Sequence, residues 1–221
     1  MKFRLIKLIL IGLLLGLVMA QEEAMTPGIE KDESKDLKPG DIAPSWALMY
    51  APGKFEFLRT WSEEEGKKLR LIVSQPDRHA VLMSFFATWC KPCMKELPLL
   101  EEVYQKYKDE RVKFFLVDIT EATRNNPGEV YGVAYKDVPV AGPFLKNKGV
   151  TMQILFDTRG VVMKNYNAQT LPRLFLMDGN RKITLTRRGF HDGEEKKFKN
   201  DLSVEIEHLL AELPPLKSKT N

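Results

Sequence analysis

The apolar residues in the middle of the chain predict a β-strand, an α-helix and a second β-strand in succession. Residues 80–86 are almost continuously apolar, which is typical of a strand buried on both faces of a parallel sheet. Apolar residues then recur at helical spacing from Lys91 to Tyr107. Residues 112–117 are again apolar and predict the next buried strand. This order of elements is that of a βαβ unit.

The segments on either side of this unit predict further strands and helices. Two short segments, 45–50 and 54–58, flank the turn residues Ala51-Pro52-Gly53 and predict a β-hairpin. The remaining pattern predicts, in chain order, an apolar run at 69–73, a polar loop or insertion at 119–137, a helix at 138–149, a strand at 152–156, a helix at 161–165, strands at 174–177 and 182–187, and a helix at 194–213 in which Val204 is one of the apolar residues. We therefore expect an α/β fold in which a central mixed sheet is flanked by helices, with an N-terminal β-hairpin and an insertion at 121–137 before the second half.

The N-terminal residues have the composition of a secretory signal peptide. Lys2, Arg4 and Lys7 precede an apolar stretch, and Val18-Met19-Ala20 offers a small residue at the cleavage position. We expect cleavage after Ala20. The alternative is an uncleaved anchor, although the apolar run is shorter than the roughly 20 residues that span a bilayer. Contact with a membrane is expected only through this segment, if it is retained.

The sequence pattern predicts four segments: a signal peptide at 1–20, a flexible polar linker at 21–39, one folded domain at 40–214 and a polar tail at 215–221. The full chain has 34 basic and 30 acidic residues and a net charge of +4. Loss of the three basic residues of the signal leaves 31 basic residues and a charge of +1. The basic character therefore belongs largely to the targeting segment and gives no support for nucleic-acid binding.

The only two cysteines, Cys90 and Cys93, are separated by two residues. Export would place them in an oxidising compartment. A bridge between them closes a very short loop and adds little stability, so chemistry explains the pair better than a structural role. A zinc site needs about four ligands, and only His79, His191 and His208 could add to the pair. We expect no metal and no organic cofactor, because the redox-active disulfide is itself the reactive group.

The position of the pair at the start of the predicted helix explains its reactivity. A helix N-terminus presents unpaired N–H groups and a partial positive charge, and both favour a thiolate. Lys91 adds a cation, and Pro92 is tolerated in the first turn. Cysteines in such settings have a pKa lowered from about 8.5 to roughly 3.5–7.5. Since positions i and i+3 lie on one helix face, we expect Cys90 to attack and Cys93, nearer the core, to resolve the mixed disulfide.

Residues 85–93, Phe-Phe-Ala-Thr-Trp-Cys-Lys-Pro-Cys, resemble the signature of the TlpA/ResA-like thioredoxin family of exported bacterial thiol–disulfide oxidoreductases. The resemblance covers about residues 40–213. It implies a thioredoxin-like fold and exchange with protein thiols and disulfides in the periplasm or cell envelope. We expect a monomer. The resemblance also implies a role in cell redox homeostasis as a reductant. Because the compartment is oxidising, a reductant there must be recharged, so we expect a membrane electron donor as a partner. Several members of this family serve cytochrome c biogenesis.

The resemblance also assigns roles to residues outside the cysteine pair. Glu96 is expected to tune a cysteine pKa, although an acidic residue early in a helix is favourable for the helix dipole alone. Leu171 and Pro172 match the family's cis-proline site. Together with Trp89, expected as a partly exposed platform beside Cys90, they form the expected substrate-binding surface. Simple packing is the alternative for Trp89, and an ordinary turn is the alternative for Pro172.

This chain departs from the family's pattern at several positions. Ser84 stands where thioredoxin has a buried Asp and this family often has an Asn, which argues against carrying a proton-relay role over to that position. The connections at 59–77 and 121–137 are longer than is usual in the family.

Two other classes of function compete with the oxidoreductase. A non-catalytic thioredoxin-fold scaffold or chaperone-like protein would not need both cysteines. A peroxidase would need a Thr and a Pro arranged upstream of a lone reactive Cys. Thr88 lies two residues before Cys90, but no proline is close upstream.

Overall fold

The computed structural model describes residues 36–64, 77–125 and 140–215. The predicted signal peptide and its cleavage site, most of the linker, the apolar run at 69–73 and most of the predicted insertion lie outside the described residues. Residues 36–39, predicted as the end of the linker, lie against the fold. The Asp36 carboxylate pairs with Arg173 at 3.0 Å, and Leu37 is buried.

The described strands form one mixed sheet, as the sequence predicts. They are β1 (Ala47–Ala51), β2 (Lys54–Phe57), β3 (Ala80–Phe86), β4 (Val112–Asp118), β5 (Gln153–Phe156), β6 (Arg173–Met177) and β7 (Ile183–Arg188). Their order across the sheet is β2-β1-β5-β4-β3-β6-β7. β3, β4 and β5 are parallel, which confirms the βαβ unit, and the outer strands pair antiparallel on both sides.

Helices connect these strands. They are α1 (Leu58–Trp61), α2 (Lys91–Tyr107), α3 (Thr120–Asn125), α4 (Ala141–Asn147), α5 (Val161–Asn165) and α6 (Glu195–Glu212). The predicted bounds of α2 and α5 are confirmed, whereas α4 is shorter than the predicted 138–149. The prediction that Val204 belongs to the apolar face of α6 is wrong, because its side chain is 58% exposed.

The helix α3 corrects the expectation of a loop from residue 119 onward. The backbone N–H of Thr120 donates to Asp118 Oδ1 at 2.9 Å, so the residue that ends β4 satisfies the first N–H of the helix that follows it. The sequence did not predict this short helix because its residues are polar and show no apolar periodicity. Hydrogen bonds to the rest of the fold hold it in place.

Lateral pairing shows which residues share a face of the sheet. Ser84 in β3 pairs with Leu174 in β6, and Leu174 pairs with Arg187 in β7, so these three side chains point to one side. That side is covered by α2 and α6, which also contact each other. On the other side, Phe85 contacts the ring of Tyr166, which directly follows α5. All seven residues of β3 are buried, as the sequence predicts for a strand covered on both faces.

Three chain segments meet at one edge of the sheet. Phe86, the last residue of β3, pairs with Asp118, the last residue of β4. Arg173, the first residue of β6, pairs with Phe85 from the other side. The segments that follow β3 and β4 and the segment that precedes β6 therefore lie side by side, and Cys90 belongs to the first of them.

Candidate active site

Cys90 is the residue that caps the N-terminus of α2. The backbone N–H of Cys93 donates to Cys90 Sγ at 3.2 Å, and Pro92 occupies the first turn, where its missing N–H costs no helix hydrogen bond. The two cysteines form a disulfide with their Cα atoms 5.3 Å apart. A helix N–H that has no acceptor within the helix therefore points at the Cys90 sulfur, as the sequence predicts.

Both cysteines are buried in this disulfide state. Cys90 is 3% exposed and Cys93 is 1% exposed. Both belong to the hydrophobic core cluster, so neighbouring residues enclose the two sulfurs in the oxidised protein. The difference between the two cysteines is the N-cap position of Cys90, which provides the donor for a thiolate there.

Glu96 is fully enclosed one turn beyond Cys93. It is 1% exposed, and burial raises the pKa of its carboxyl to about 7. Ser84 Oγ donates to Glu96 Oε1 at 2.9 Å, which opposes this rise. Glu96 therefore lies in the protein interior and not at its surface. Its protonation changes near neutral pH inside the protein, so a helix-dipole role alone does not describe it.

Arg187 is the charged residue of β7 on the same face as Ser84. Its guanidinium pairs with Glu194 and with Asp201, each at 3.2 Å, and it lowers the pKa of Glu96 to a smaller extent than Ser84 does. Sequence reasoning missed Arg187, because only the register of three strands places it in line with Ser84.

The residues between the cysteines face outward. Lys91 and Pro92 are both exposed on the first turn of α2. Nearby on the same helix, Lys95 forms an exposed ion pair with Asp192 at 2.7 Å.

The Leu171–Pro172 peptide bond is cis, as the resemblance implies. Pro172 is buried and Leu171 is half-buried. The backbone N–H of Gly189 donates to the Pro172 carbonyl at 2.8 Å, which ties this segment to the residue after β7. Because Arg173 pairs with Phe85, the segment lies at the same edge of the sheet as Cys90.

Trp89 is half-buried and packs against the core. Its indole Nε1 donates to Thr123 Oγ1 at 3.0 Å, and the backbone N–H of Thr88 donates to Thr120 Oγ1 at 2.9 Å. Sequence reasoning missed Thr120 and Thr123, which lie in the stretch expected to be a loop. Their spacing of three residues was the only available signal.

The histidines lie outside this arrangement. His191 and His208 are exposed, and His208 lies 3.6 Å from Glu212 on α6. His79 packs edge-on against Trp61, and burial lowers its pKa. Within residues 36–64, 77–125 and 140–215, no group of three or more His, Cys, Asp or Glu side chains could hold a metal ion. No helix in these ranges is long and apolar enough to cross a membrane.

Comparison with known proteins gives consistent matches. A family model described as Redoxin matches residues 40–202. Thiol-disulfide oxidoreductase ResA of Bacillus thuringiensis subsp. konkukian is 30% identical over 131 residues, covering 59% of this chain and 66% of the relative. Sporulation thiol-disulfide oxidoreductase A of Bacillus subtilis is 28% identical over 126 residues, covering 57% and 69%. The chain thus spans just under two thirds of the first of these relatives.

Solved structures show the same fold. The thioredoxin domain of a thiol-disulfide oxidoreductase from Bacteroides vulgatus has a TM-score of 0.51 at 17% identity, covering 77% of this chain and 99% of that one. A thioredoxin-like protein from Porphyromonas gingivalis has a TM-score of 0.50 at 24% identity, covering 80% and 95%. The expected thioredoxin-like α/β fold is confirmed.

Proposed function

The chain belongs to the Redoxin family, and we propose that it is a thiol–disulfide oxidoreductase that exchanges electrons with protein substrates through Cys90 and Cys93. The observation that supports this most directly is the N-cap geometry, in which the Cys93 N–H donates to Cys90 Sγ. A scaffold needs no such donor at a sulfur atom, and a single-cysteine peroxidase needs no second cysteine at bonding distance. The curated relatives named as thiol-disulfide oxidoreductases support the same activity.

In the reducing direction the reaction starts from the Cys90–Cys93 dithiol. The Cys90 thiolate attacks one sulfur of a substrate disulfide, forms a mixed disulfide and displaces a substrate thiolate, which takes up a proton. The Cys93 thiolate then attacks Cys90 Sγ, forms the internal disulfide and releases the second substrate thiol. Two electrons pass from the protein to the substrate, and no cofactor beyond the cysteine pair takes part.

The second step requires Cys93 to lose its proton inside the core. Glu96 lies three residues beyond Cys93 on the same helix, and its pKa of about 7 allows it to accept or return a proton near neutral pH. Glu96 therefore acts as the proton-exchanging group that tunes the buried cysteine, and Lys91 adds a modest favourable charge at the surface.

The expected substrate-binding surface consists of Trp89, Leu171 and Pro172. All three belong to segments at the sheet edge that holds Cys90, and each has an apolar side chain. An extended polypeptide can lie along the segment before β6 with its disulfide next to Cys90, in the manner of strand addition.

The protein works as a monomeric reductant on the outer side of the bacterial cytoplasmic membrane. The N-terminal composition of residues 1–20 and the resemblance to a family of exported oxidoreductases support this location. A reductant in an oxidising compartment must be recharged, so a membrane electron donor is its second partner. Cytochrome c maturation is the pathway that the family resemblance supports.

Insulin reduction with dithiothreitol as electron source tests the activity. Wild-type protein should accelerate precipitation of the insulin B chain, and Cys90→Ser should abolish the acceleration. Rapid acid quench and alkylation of the protein in cells test the direction. A mostly reduced Cys90–Cys93 pair that becomes oxidised when the membrane donor is deleted supports a role as a reductant. A pair that is already oxidised, and stays so after the deletion, contradicts that role.

A further inference from the structure

Two threonines of α3, Thr120 and Thr123, bind the two residues that precede Cys90. Thr120 Oγ1 accepts the backbone N–H of Thr88 at 2.9 Å, and Thr123 Oγ1 accepts the indole N–H of Trp89 at 3.0 Å. All three threonines are buried, so water competes little for these hydrogen bonds.

The hydroxyl protons of both threonines are already engaged elsewhere. Thr123 Oγ1 donates to the Thr120 carbonyl at 2.8 Å, and Thr120 Oγ1 donates to Asp118 Oδ1. Since a hydroxyl has one proton, each oxygen turns lone pairs toward its second partner. Both acceptors are therefore oriented for Thr88 and Trp89 in advance.

The first turn of α3 is itself fixed to the central strands. The N–H of Ile119 donates to the Phe86 carbonyl at 3.0 Å, and the N–H of Thr123 donates to the Ile119 carbonyl at 3.1 Å. The Asp118 carboxylate accepts from the Thr120 N–H as well as from its hydroxyl. The ends of β3 and β4, the first turn of α3 and the loop before Cys90 form one hydrogen-bonded unit.

We propose that Thr120 and Thr123 are positioning residues that hold Trp89 in the orientation required by an extended polypeptide substrate. This inference rests on the proposed function, in which Cys90 attacks a disulfide beside Trp89. The two threonines act through the loop backbone and the indole ring, not on the sulfur atoms themselves.

The two kinds of substrate should depend on these threonines differently. A small disulfide needs only the Cys90 sulfur and the N–H groups of the α2 N-terminus. An extended polypeptide also lies against Trp89, so a change in the indole orientation disturbs its binding. Loss of the Thr123 hydroxyl should therefore raise the KM for a polypeptide disulfide more than it raises the KM for a small disulfide.

Rate measurements on Thr123→Val, which has nearly the same shape without the hydroxyl, test the proposal. The reduced protein is mixed with a disulfide-linked pair of short peptides or with 2-hydroxyethyl disulfide. We expect the second-order rate constant for the peptide disulfide to fall about three- to tenfold, the range that corresponds to one hydrogen bond. The second-order rate constant for 2-hydroxyethyl disulfide should also be compared with wild-type protein. The factor by which it falls should be less than half the factor for the peptide disulfide.

Two variants separate positioning from general damage to the fold. Thr123→Ser keeps the hydroxyl and should restore the peptide rate. Thr184→Val makes the same substitution in β7 and removes a hydroxyl that donates to the Leu176 carbonyl at 3.4 Å. Leu176 pairs with Leu82, away from the edge that holds Cys90, so this variant should keep the wild-type ratio of the two rates.

A double-mutant cycle with Trp89→Phe completes the test, because phenylalanine lacks the indole N–H. In the Trp89→Phe background, Thr123→Val should cause no further loss of the peptide rate. An equal loss with both disulfides, an undiminished peptide rate, or additive losses in the cycle would overturn the proposal. A wild-type protein that exchanges with neither disulfide would instead refute the proposed function, and this inference with it.

Discussion

Ser84 Oγ donates a 2.9 Å hydrogen bond to Glu96 Oε1 in the buried layer between β3 and α2. Thioredoxin has a buried carboxyl at the strand position, where this chain has a hydroxyl. The carboxyl is instead on the helix, three residues beyond Cys93, and the strand residue serves as its donor. The buried titratable group of this chain therefore lies on the same helix as the resolving cysteine.

The first prediction concerns the pH dependence of stability. The pKa of Glu96 is raised to about 7 in the folded protein, so the folded state binds the proton more tightly than the unfolded state does. The stability that this proton provides is present below pH 4.5 and is lost as the pH rises through 7. Relative to Glu96→Gln, wild-type protein should lose up to about 3 kcal/mol of unfolding free energy over this window.

Urea unfolding of the oxidised protein between pH 4 and pH 9 measures this difference. Glu110→Gln, at an exposed position after α2, is the matched control and should follow the wild-type curve. A constant difference between wild-type protein and Glu96→Gln across the whole range would contradict the prediction.

The second prediction concerns the Ser84 hydroxyl. Its hydrogen bond lowers the pKa of Glu96, so Ser84→Ala should move the Glu96 titration to a pH above 7. The chemical shift of the Glu96 carboxyl carbon, followed by NMR over pH, reports the midpoint. Ser45→Ala changes an exposed serine before β1 and serves as the control. A midpoint that stays in place or falls in Ser84→Ala would show that the hydroxyl does not stabilise the carboxylate.

The third prediction concerns the charge of Lys91. The side chain is exposed, and a charge about 6 Å from a thiolate in water contributes only about 0.7 kcal/mol. Alkylation of Cys90 by iodoacetamide at pH 7 should therefore slow no more than about threefold in Lys91→Gln. Added salt should reduce the difference further. A tenfold slower reaction would mean that Lys91, and not the helix N-terminus, provides most of the activation.

The fourth prediction concerns the beginning of the folded domain. Arg173 is buried, and its guanidinium donates to Asp36 Oδ1 and to the Leu37 carbonyl. A chain that begins at Asp41 loses both partners and the buried Leu37 side chain, whereas a chain that begins at Asp36 keeps them. The shorter chain should be less stable by about 2 kcal/mol or more, as measured by urea unfolding. Equal stability would mean that residues 36–40 do not contribute to the folded domain.

Local pattern was sufficient to predict the elements with strong periodicity. The continuous apolar run of β3, the helical spacing of α2 and the cysteine pair between them all depend on neighbouring residues, and all were predicted correctly. α3 was missed because it shows no apolar periodicity and is held instead by hydrogen bonds that involve Asp118 and two threonines.

The environment of Glu96 could not be predicted for a different reason. A glutamate early in a helix usually lies in solvent, and nothing adjacent in sequence indicates otherwise. Its burial follows from the register that places Ser84 beneath α2 and aligns Leu174 and Arg187 beside it. Such contacts join residues that are distant in sequence, and only the assembled sheet shows them.

The division of labour between the two cysteines is the central claim, and intact mass after reaction with a peptide disulfide tests it most directly. Cys93→Ser should accumulate a stable adduct of one peptide on Cys90, because attack succeeds and the resolving thiol is absent. Cys90→Ser should form no adduct under the same conditions. An adduct on Cys93 in Cys90→Ser, with an unmodified Cys90 in Cys93→Ser, would contradict the assignment of Cys90 as the attacking residue.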